Sequence, residues 1–137
     1  MIKKKIAIIG AGYWGSIIIN TLTNLKFKNI VVHDINKSNL NIIKKKFNNI
    51  CIENKLTNIL KDNDINYVIV ATPPSKNYKV VRQLILNKKN IFLEKPGFKN
   101  LNEIDKIQKL LSKFKIKMMF GYIYCYNNQI DTIKKIL

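Results

Sequence analysis

The chain has few of the residues that build metal centres and disulfide frameworks. It contains two cysteines, Cys51 and Cys125, outside any C-x-x-C spacing, and one histidine, His33. No metal site is therefore expected, and the two cysteines are interpreted as reduced, partly buried thiols. Proline and glycine are also scarce, with 3 and 5 residues, and no spacer rich in either divides the 137 residues. This length is enough for one domain with a core of its own.

Long hydrophobic runs are also missing. No apolar run approaches the ~20 residues of a membrane span, so no membrane partner is expected. Residues 1–5 resemble the basic start of a signal peptide, but the apolar run Ile6–Ile9 is too short to continue it and glycines follow at once. The sequence therefore predicts a cytoplasmic protein.

Acidic residues are few, 8 against 25 basic ones, and the net charge is +17. Such a charge raises the question of a nucleic-acid partner. However, Arg82 is the only arginine, and arginine is the residue favoured for bidentate contacts to bases and phosphates. Lysine, asparagine and isoleucine supply 24, 19 and 25 residues, and their shared A/T-rich codons explain all three together. We therefore expect solvated lysine faces and no specific nucleic-acid partner.

Strand patterns alternate with helix patterns along the whole chain. Strands are predicted at Lys4–Ile9, Asn29–His33, Ile50–Glu53, Asn66–Ala71, Asn90–Leu93 and Lys117–Tyr122. Helices are predicted at Tyr13–Leu25, Lys37–Phe47, Leu56–Lys61, Ser75–Asn87, Leu101–Phe114 and Gln129–Leu137. This alternation predicts an α/β fold with a doubly wound, parallel six-stranded sheet of order 3-2-1-4-5-6 and helices on both faces. The ligand crevice is expected at the carboxyl ends of strands one and four.

A glycine motif with G-x-G-x-x-G spacing follows the first predicted strand. Gly10 would let the chain turn out of the strand, Gly12 would let a pyrophosphate approach the backbone, and Gly15 would let the next helix lie close to the strand. The first amides of that helix would then face the phosphates. The motif indicates a dinucleotide site, although glycine clusters also mark ordinary tight turns.

An aspartate stands at the end of the second predicted strand. Asp34 lies 24 residues after Gly10, where a carboxylate can accept hydrogen bonds from the adenosine ribose hydroxyls. Its charge would repel a 2′-phosphate and favours NAD. NADP stays open, because Asn36, Lys37 and Ser38 could contact such a phosphate. The neighbouring His33 is interpreted as a strand-end residue without a catalytic role.

Two further strand ends carry candidate residues. The fourth strand is followed by Ala71, Thr72 and Pro73, which would form a second wall of the nucleotide site, while Ser75 could cap the next helix. The fifth strand is followed by Glu94, Lys95 and Pro96. A Lys-Pro turn can serve only to end a strand. However, two charged residues directly after an apolar strand, on the side of the sheet where the ligand is expected, favour a functional lysine.

These three motifs, in this order, resemble the N-terminal NAD(P)-binding Rossmann domain of the glucose–fructose oxidoreductase / inositol dehydrogenase family, called Gfo/Idh/MocA. The resemblance covers nearly the whole chain. It implies hydride transfer between a nicotinamide and a sugar, cyclitol or nucleotide-sugar carbon, and the residues near Tyr126 and Asn127 look more like members that act on nucleotide-linked sugars. The residues it assigns to the cofactor are Gly10, Gly12, Tyr13, Trp14, Gly15, Asp34, Ala71, Thr72, Pro73, Glu94, Lys95 and Pro96.

The resemblance also assigns the chemistry. Lys95 is the implied catalytic residue, which polarises a carbonyl oxygen or stabilises an alkoxide, and Glu94 supports the nicotinamide side. The family commonly has a histidine where Asn77 precedes Tyr78 here. It also has a second domain, with the usual catalytic histidine and the substrate floor, that would begin near the end of this chain. We therefore divide the chain into a Rossmann domain at residues 1–122 and the start of the crossing to that domain at residues 123–137.

Two functional hypotheses follow. The first is an oxidoreductase domain, from a fragment or a truncated gene product. The second is a noncatalytic nucleotide-binding module or sensor that works with a partner chain. In either case, bare apolar surface near Phe120, Tyr122, Tyr124 and Tyr126 is expected to favour self-association or a partner chain.

Overall fold

The computed structural model describes residues 5–136, apart from the side chain of Asp131. Its strands are β1 (Lys5–Ile9), β2 (Ile30–His33), β3 (Ile50–Ile52), β4 (Ile65–Val70), β5 (Asn90–Leu93) and β6 (Met118–Phe120). Its helices are α1 (Tyr13–Asn24), α2 (Lys37–Lys46), α3 (Leu56–Lys61), α4 (Pro74–Leu86), α5 (Leu101–Leu111) and α6 (Asn128–Ile136). The predicted ends at Lys4 and Leu137 lie outside the described residues.

The six strands form one parallel sheet in the order β3-β2-β1-β4-β5-β6, which confirms the predicted topology. Its central strands, β1 and β4, are mainly apolar, and Ala7, Ile8, Val68 and Val70 are buried in them because helices cover both faces of the sheet. The order in which successive strands are added to the sheet reverses between β1 and β4. In open sheets of this kind the ligand crevice lies at that switch point, outside the carboxyl ends of the strands.

Two hydrophobic clusters hold the helices on the sheet. One lies under α1 and α2 and contains Ile8, Ile19, Val32, Leu40, Ile43 and Phe47. The other lies under α3, α4 and α5 and contains Ala7, Ile59, Val68, Val81, Leu84, Ile85 and Ile107. Fully burying a side chain of the size of Ile or Leu contributes about 1.5–3 kcal/mol, so these two clusters supply the main driving force for the fold.

Four local predictions are wrong. The helical periodicity of the predicted segment Leu101–Phe114 places Leu101 on the inward face, but Leu101 opens α5 and is 76% exposed. Ser75 does not cap α4, because that helix begins one residue earlier at Pro74, after Pro73. The two free cysteines, Cys51 and Cys125, are exposed and not partly buried. These side chains sit at a helix start, an edge strand and a terminal segment, where periodicity says little about burial.

The segment after β5 also differs from the prediction. Helix α5 ends at Leu111, and β6 is reduced to Met118–Phe120. A 3₁₀-helix at Ile123–Tyr126 follows, which the apolar and aromatic pattern did not suggest. Its first and last residues are both exposed, so it adds nothing to the core.

A small polar network lies at the end of the sheet where the parallel strands begin. The Lys5 ammonium lies 2.9 Å from a carboxylate oxygen of Asp62 and lowers the pKa of that carboxyl. Lys89 is buried, and its Nζ donates to the carbonyls of Asp62 and Ile65 at 2.7 and 2.8 Å. Burial lowers the pKa of the Lys89 ammonium. This network joins β1, β4 and β5 at the edge opposite the predicted crevice.

Candidate functional site

Strand register brings the predicted site residues to one edge of the sheet. Ile9 pairs with both His33 and Val70, Val70 pairs with Leu93, and Leu93 pairs with Phe120. The next residue of each strand therefore falls in one row along the carboxyl edge. That row contains Gly10, Asp34, Ala71, Glu94 and Gly121. Backbone hydrogen bonds of 2.8–2.9 Å from Gly10, Ala71, Glu94 and Gly121 to the neighbouring strands extend the ladder into this row.

Two glycines of the motif are required by packing. Gly10 has a φ of +96°, and a Cβ there would lie 2.6 Å from the carbonyl oxygen of Ala71. A Cβ on Gly15 would overlap the carbonyl oxygen of Gly10. Glycine is the residue that adopts such a φ without strain and tolerates such an approach. Helix α1 thus starts directly against the end of β1, as the motif predicts.

Gly12 has a different role, because a Cβ there would meet no atom of the protein within 4 Å. It is the N-cap of α1, and no side chain caps the first amides of that helix. The first turn also contains no acidic residue. Uncapped amides and the positive end of the helix dipole favour an anion at this point. The residues present therefore fit a dinucleotide pyrophosphate.

The carboxylate of Asp34 is held by three donors from its own chain. Oδ2 accepts from the backbone N–H of Ala11 at 2.7 Å and from Asn39 Nδ2 at 3.0 Å. Oδ1 accepts from the backbone N–H of Asn36 at 2.8 Å. The aspartate therefore ties the end of β2 to the glycine loop, a contact that the spacing alone did not predict. It remains half-buried, beside the crevice.

Two aromatic residues stand on the outer side of the glycine motif. Tyr13 is 84% exposed and Trp14 is 41% exposed, and their ring centroids are 6.0 Å apart. Both belong to the first turn of α1. Trp14 is also the only tryptophan of the chain, so its fluorescence reports on this site alone.

The loop after β4 is joined to the turn after β5 through one buried amide. Asn77, on α4, accepts a hydrogen bond from Thr72 Oγ1 at 2.6 Å and donates one to the carbonyl of Gly97 at 2.5 Å. The sequence marked Asn77 only as a departure from a family pattern. Its place on the same face of α4 as Val81, Leu84 and Ile85 was the missed signal, because a polar residue on a buried helix face needs partners.

The turn after β5 presents a charged pair. Lys95 and Pro96 are exposed and joined by a cis peptide bond, and Glu94 is half-buried. Within residues 5–136 the Lys95 side chain makes no hydrogen bond or ion pair, so its ammonium is available to a ligand. A Cβ on Gly121 would lie 2.9 Å from a carboxylate oxygen of Glu94, so the absence of a side chain at Gly121 leaves space for the Glu94 carboxylate.

The His33 side chain contacts the backbone at the end of β3. It is buried, and its Nδ1 lies 2.9 Å from the carbonyl oxygen of Glu53. The backbone N–H of Lys55 donates to the Glu53 carboxylate and lowers its pKa. These contacts agree with the interpretation of His33 as a strand-end residue.

Two open clefts of the described chain lie away from the carboxyl edge. One, of about 380 Å³, includes Lys5, Cys51 and Asp62 in its lining. The other, of about 840 Å³, includes Lys26, Lys46 and Phe47. Among the described residues, no group of three or more potential metal ligands lies together. In that same part of the chain, no helix is long and apolar enough to cross a membrane.

Comparison with solved structures gives the same fold. Myo-inositol 2-dehydrogenase from Lactobacillus plantarum matches with a TM-score of 0.84 at 20% identity, over 96% of this chain and 40% of that one. Scyllo-inositol dehydrogenase from Lactobacillus casei gives 0.79 at 20% identity, over 96% and 40%. GenD2 from gentamicin A biosynthesis, solved in complex with NAD, gives 0.75 at 20% identity, over 85% and 34%. The chain thus spans no more than 40% of the length of these three proteins.

The family assignment rests on sequence. A search of curated protein sequences gave no significant match. A model of the oxidoreductase family with an NAD-binding Rossmann fold matches residues 4–122, which is most of the chain. The chain therefore belongs to the Gfo/Idh/MocA family of oxidoreductases and contains its NAD-binding Rossmann domain.

Proposed function

We propose that this domain serves an enzyme that moves a hydride between a nicotinamide and a carbon of a sugar, cyclitol or nucleotide-linked sugar. The observation that carries the proposal is the register that aligns the glycine loop, Asp34 and Glu94 along one edge, with Lys95 next to Glu94. Charged residues directly after buried strands, at a topological switch point, are typical of a ligand crevice.

The cofactor site is proposed to run along this edge. The phosphates lie at the amides of Gly12, Tyr13, Trp14 and Gly15, after the turn at Gly10, and the adenosine ribose lies at Asp34. The second wall is formed by Ala71, Thr72 and Pro73, and the nicotinamide lies near Glu94, Lys95 and Pro96. The charge of Asp34 disfavours a 2′-phosphate, so we propose NAD over NADP. Titration calorimetry with both cofactors tests this, and tighter NADP binding would reverse the preference.

Lys95 is proposed as the catalytic residue of this domain. NAD, when bound, accepts or supplies the hydride. The Lys95 ammonium, which has no partner in the described chain, holds positive charge near the substrate oxygen. Such a charge polarises a carbonyl in the reducing direction and stabilises a developing alkoxide in the oxidising direction.

Replacing Lys95 separates this role from folding. Lys95→Ala should change the free energy of unfolding by less than about 0.5 kcal/mol, since an exposed side chain without partners is removed. In this chain fused to the substrate domain of an inositol dehydrogenase, the same change should lower turnover at least about 100-fold. Lys99→Ala, another exposed lysine, is the matched control and should leave turnover unchanged. Equal turnover of the Lys95 variant and the unmodified fusion would reject the catalytic role.

A noncatalytic nucleotide-binding module or sensor is the second candidate. It is favoured by the open carboxyl edge, where Lys95 and Pro96 are exposed, and by exposed aromatic side chains at Tyr122, Tyr124 and Tyr126. We propose that residues 123–137 lead toward a second domain or a partner chain that covers this surface. Assay of the isolated chain with NAD(H) and a panel of sugars, cyclitols and nucleotide sugars tests this second candidate. Stereospecific hydride transfer at an ordinary enzymatic rate would exclude the noncatalytic module.

We also propose a cellular location, from the state of the cysteines. Free, exposed cysteines suit a reducing compartment, where thiols stay reduced. We therefore propose a cytoplasmic location.

A further inference from the structure

We infer that Asn77 is a positioning residue that fixes both the Lys95 turn and the hydroxyl of Thr72 for the nicotinamide half of the cofactor. This inference rests on the proposed function. Asn77 is 1% exposed, although an asparagine is costly to bury unless its amide is fully bonded. Its two partners, Thr72 and Gly97, belong to two different loops of the carboxyl edge.

The chemistry of the partners sets the direction of each hydrogen bond. The carbonyl of Gly97 can only accept, so the amide nitrogen of Asn77 must face it. The amide oxygen then faces Thr72 and can only accept, so the Thr72 hydroxyl must donate its proton inward. The lone pairs of that hydroxyl are left for the crevice. Thr72 is thereby set to accept from a donor such as a ribose hydroxyl or a carboxamide N–H.

The same amide fixes the turn that carries Lys95. Gly97 is buried with a φ of +87°, and on its other side a Cβ would lie 2.7 Å from the ring of Phe120. The turn is therefore held between α4 and β6, two residues after Lys95. Removing the Asn77 amide would leave the Gly97 carbonyl buried without its donor and would loosen this turn.

Asn90 makes a comparable pair of side-chain hydrogen bonds at the opposite end of the sheet, where the strands begin. Asn90 donates to the carbonyl of Asn66 at 3.2 Å and accepts from the backbone N–H of Lys117 at 2.9 Å. It joins β4 to the residue before β6, far from the glycine loop. Loss of Asn90 should therefore destabilise the sheet without touching the cofactor site.

The test compares NADH with ADP-ribose, which lacks the nicotinamide, by calorimetric titration of the 137-residue chain. Asn77→Ala should weaken NADH binding about three- to tenfold and ADP-ribose binding less than about twofold, because the adenosine half lies at Asp34. Asn90→Ala should leave both dissociation constants within about twofold. Thr72→Val should also weaken NADH binding more than ADP-ribose binding. The double variant should lose less than the product of the two single fold-changes, since the bond between Thr72 and Asn77 is lost in both single variants.

Other outcomes would overturn the inference. Equal weakening of both ligands by Asn77→Ala would mean a purely structural role, and no change in either would mean no role. If Asn77→Ala does not fold, Thr72→Val decides, because it keeps the bond from Asn77 to Gly97; an unchanged ratio of the two dissociation constants would then reject the inference. Failure of the unmodified chain to bind ADP-ribose would instead refute the proposed nucleotide site, and the inference with it.

Discussion

Gly12 offers a way to separate nucleotide binding from folding. A methyl group at this position points into open space, with no protein atom within 4 Å, whereas the same group at Gly15 would overlap the Gly10 carbonyl. The backbone of Gly12, with φ −70° and ψ −159°, is extended and open to alanine. Gly12→Ala therefore adds one methyl group to the place where the pyrophosphate is expected and to no packed part of the protein.

Two opposing effects set the stability of the variant. Alanine restricts the unfolded chain, which stabilises a protein by about 0.4–1 kcal/mol where the native backbone suits it. Alanine is also a poorer N-cap than glycine, with a cost of about 0.5–1 kcal/mol. The two terms nearly cancel, so we expect the free energy of unfolding to change by less than about 0.5 kcal/mol.

Binding should respond quite differently. A methyl group between the pyrophosphate and the amides of α1 prevents the close approach that the motif permits, so NAD binding should weaken at least about tenfold, or about 1.4 kcal/mol. Urea unfolding and calorimetric titration measure the two quantities on the same sample. Gly15→Ala is the control for packing and should destabilise the fold by about 1–3 kcal/mol or more. A folded Gly12→Ala chain that binds NAD as tightly as the unmodified one would refute the proposed phosphate site.

Three further predictions concern the rest of the molecule. Lys89→Met removes the Nζ donor of the buried Ile65 carbonyl and one of the two donors of the Asp62 carbonyl, so urea unfolding should show a loss of about 1–3 kcal/mol, while Lys79→Met on the exposed side of α4 should show almost none. The pKa of Asp62 is lowered in the folded state, so the ionised carboxylate stabilises the fold above its ordinary pKa of 3.8, and this stabilisation is lost as the pH falls below that value. Asp62→Asn should therefore reduce the loss of stability at acid pH, and an unchanged profile of unfolding free energy against pH would contradict this. Joint replacement of Tyr122, Tyr124 and Tyr126 by serine should reduce self-association in sedimentation experiments, whereas Leu25→Lys, at an exposed site on the α1 side, should not.

The topology could be predicted because strand and helix periodicities alternate without interruption. A short apolar run such as Tyr67–Val70 is typical of a strand in a parallel sheet covered by helices, and the crossovers between such strands have one hand. The glycine motif then fixed where the first helix starts. The steric demands at Gly10 and Gly15 follow from that placement, as the structure confirms.

Local burial could not be predicted in the same way. Periodicity describes a helix that is packed along its whole length, so it placed Leu101 inward, whereas this first residue of α5 is exposed. It also said nothing about Asn77, whose importance depends on two loops that approach each other only in the folded chain. Contacts between these loops depend on how neighbouring strands of the sheet are aligned, and the pattern of a single sequence does not show which loop side chains then meet.

Asp34 shows how one residue can satisfy both a structural and a binding role. A carboxylate has roughly four positions for hydrogen-bond donors, and three are filled here by Ala11, Asn36 and Asn39. These bonds fix the carboxylate beside the glycine loop, so its negative charge cannot swing away from an approaching ligand. A ribose hydroxyl can donate to the position that remains, but a 2′-phosphate would meet a charge that is held in place. The internal bonds therefore strengthen the argument for NAD that the spacing of the motif alone could only suggest.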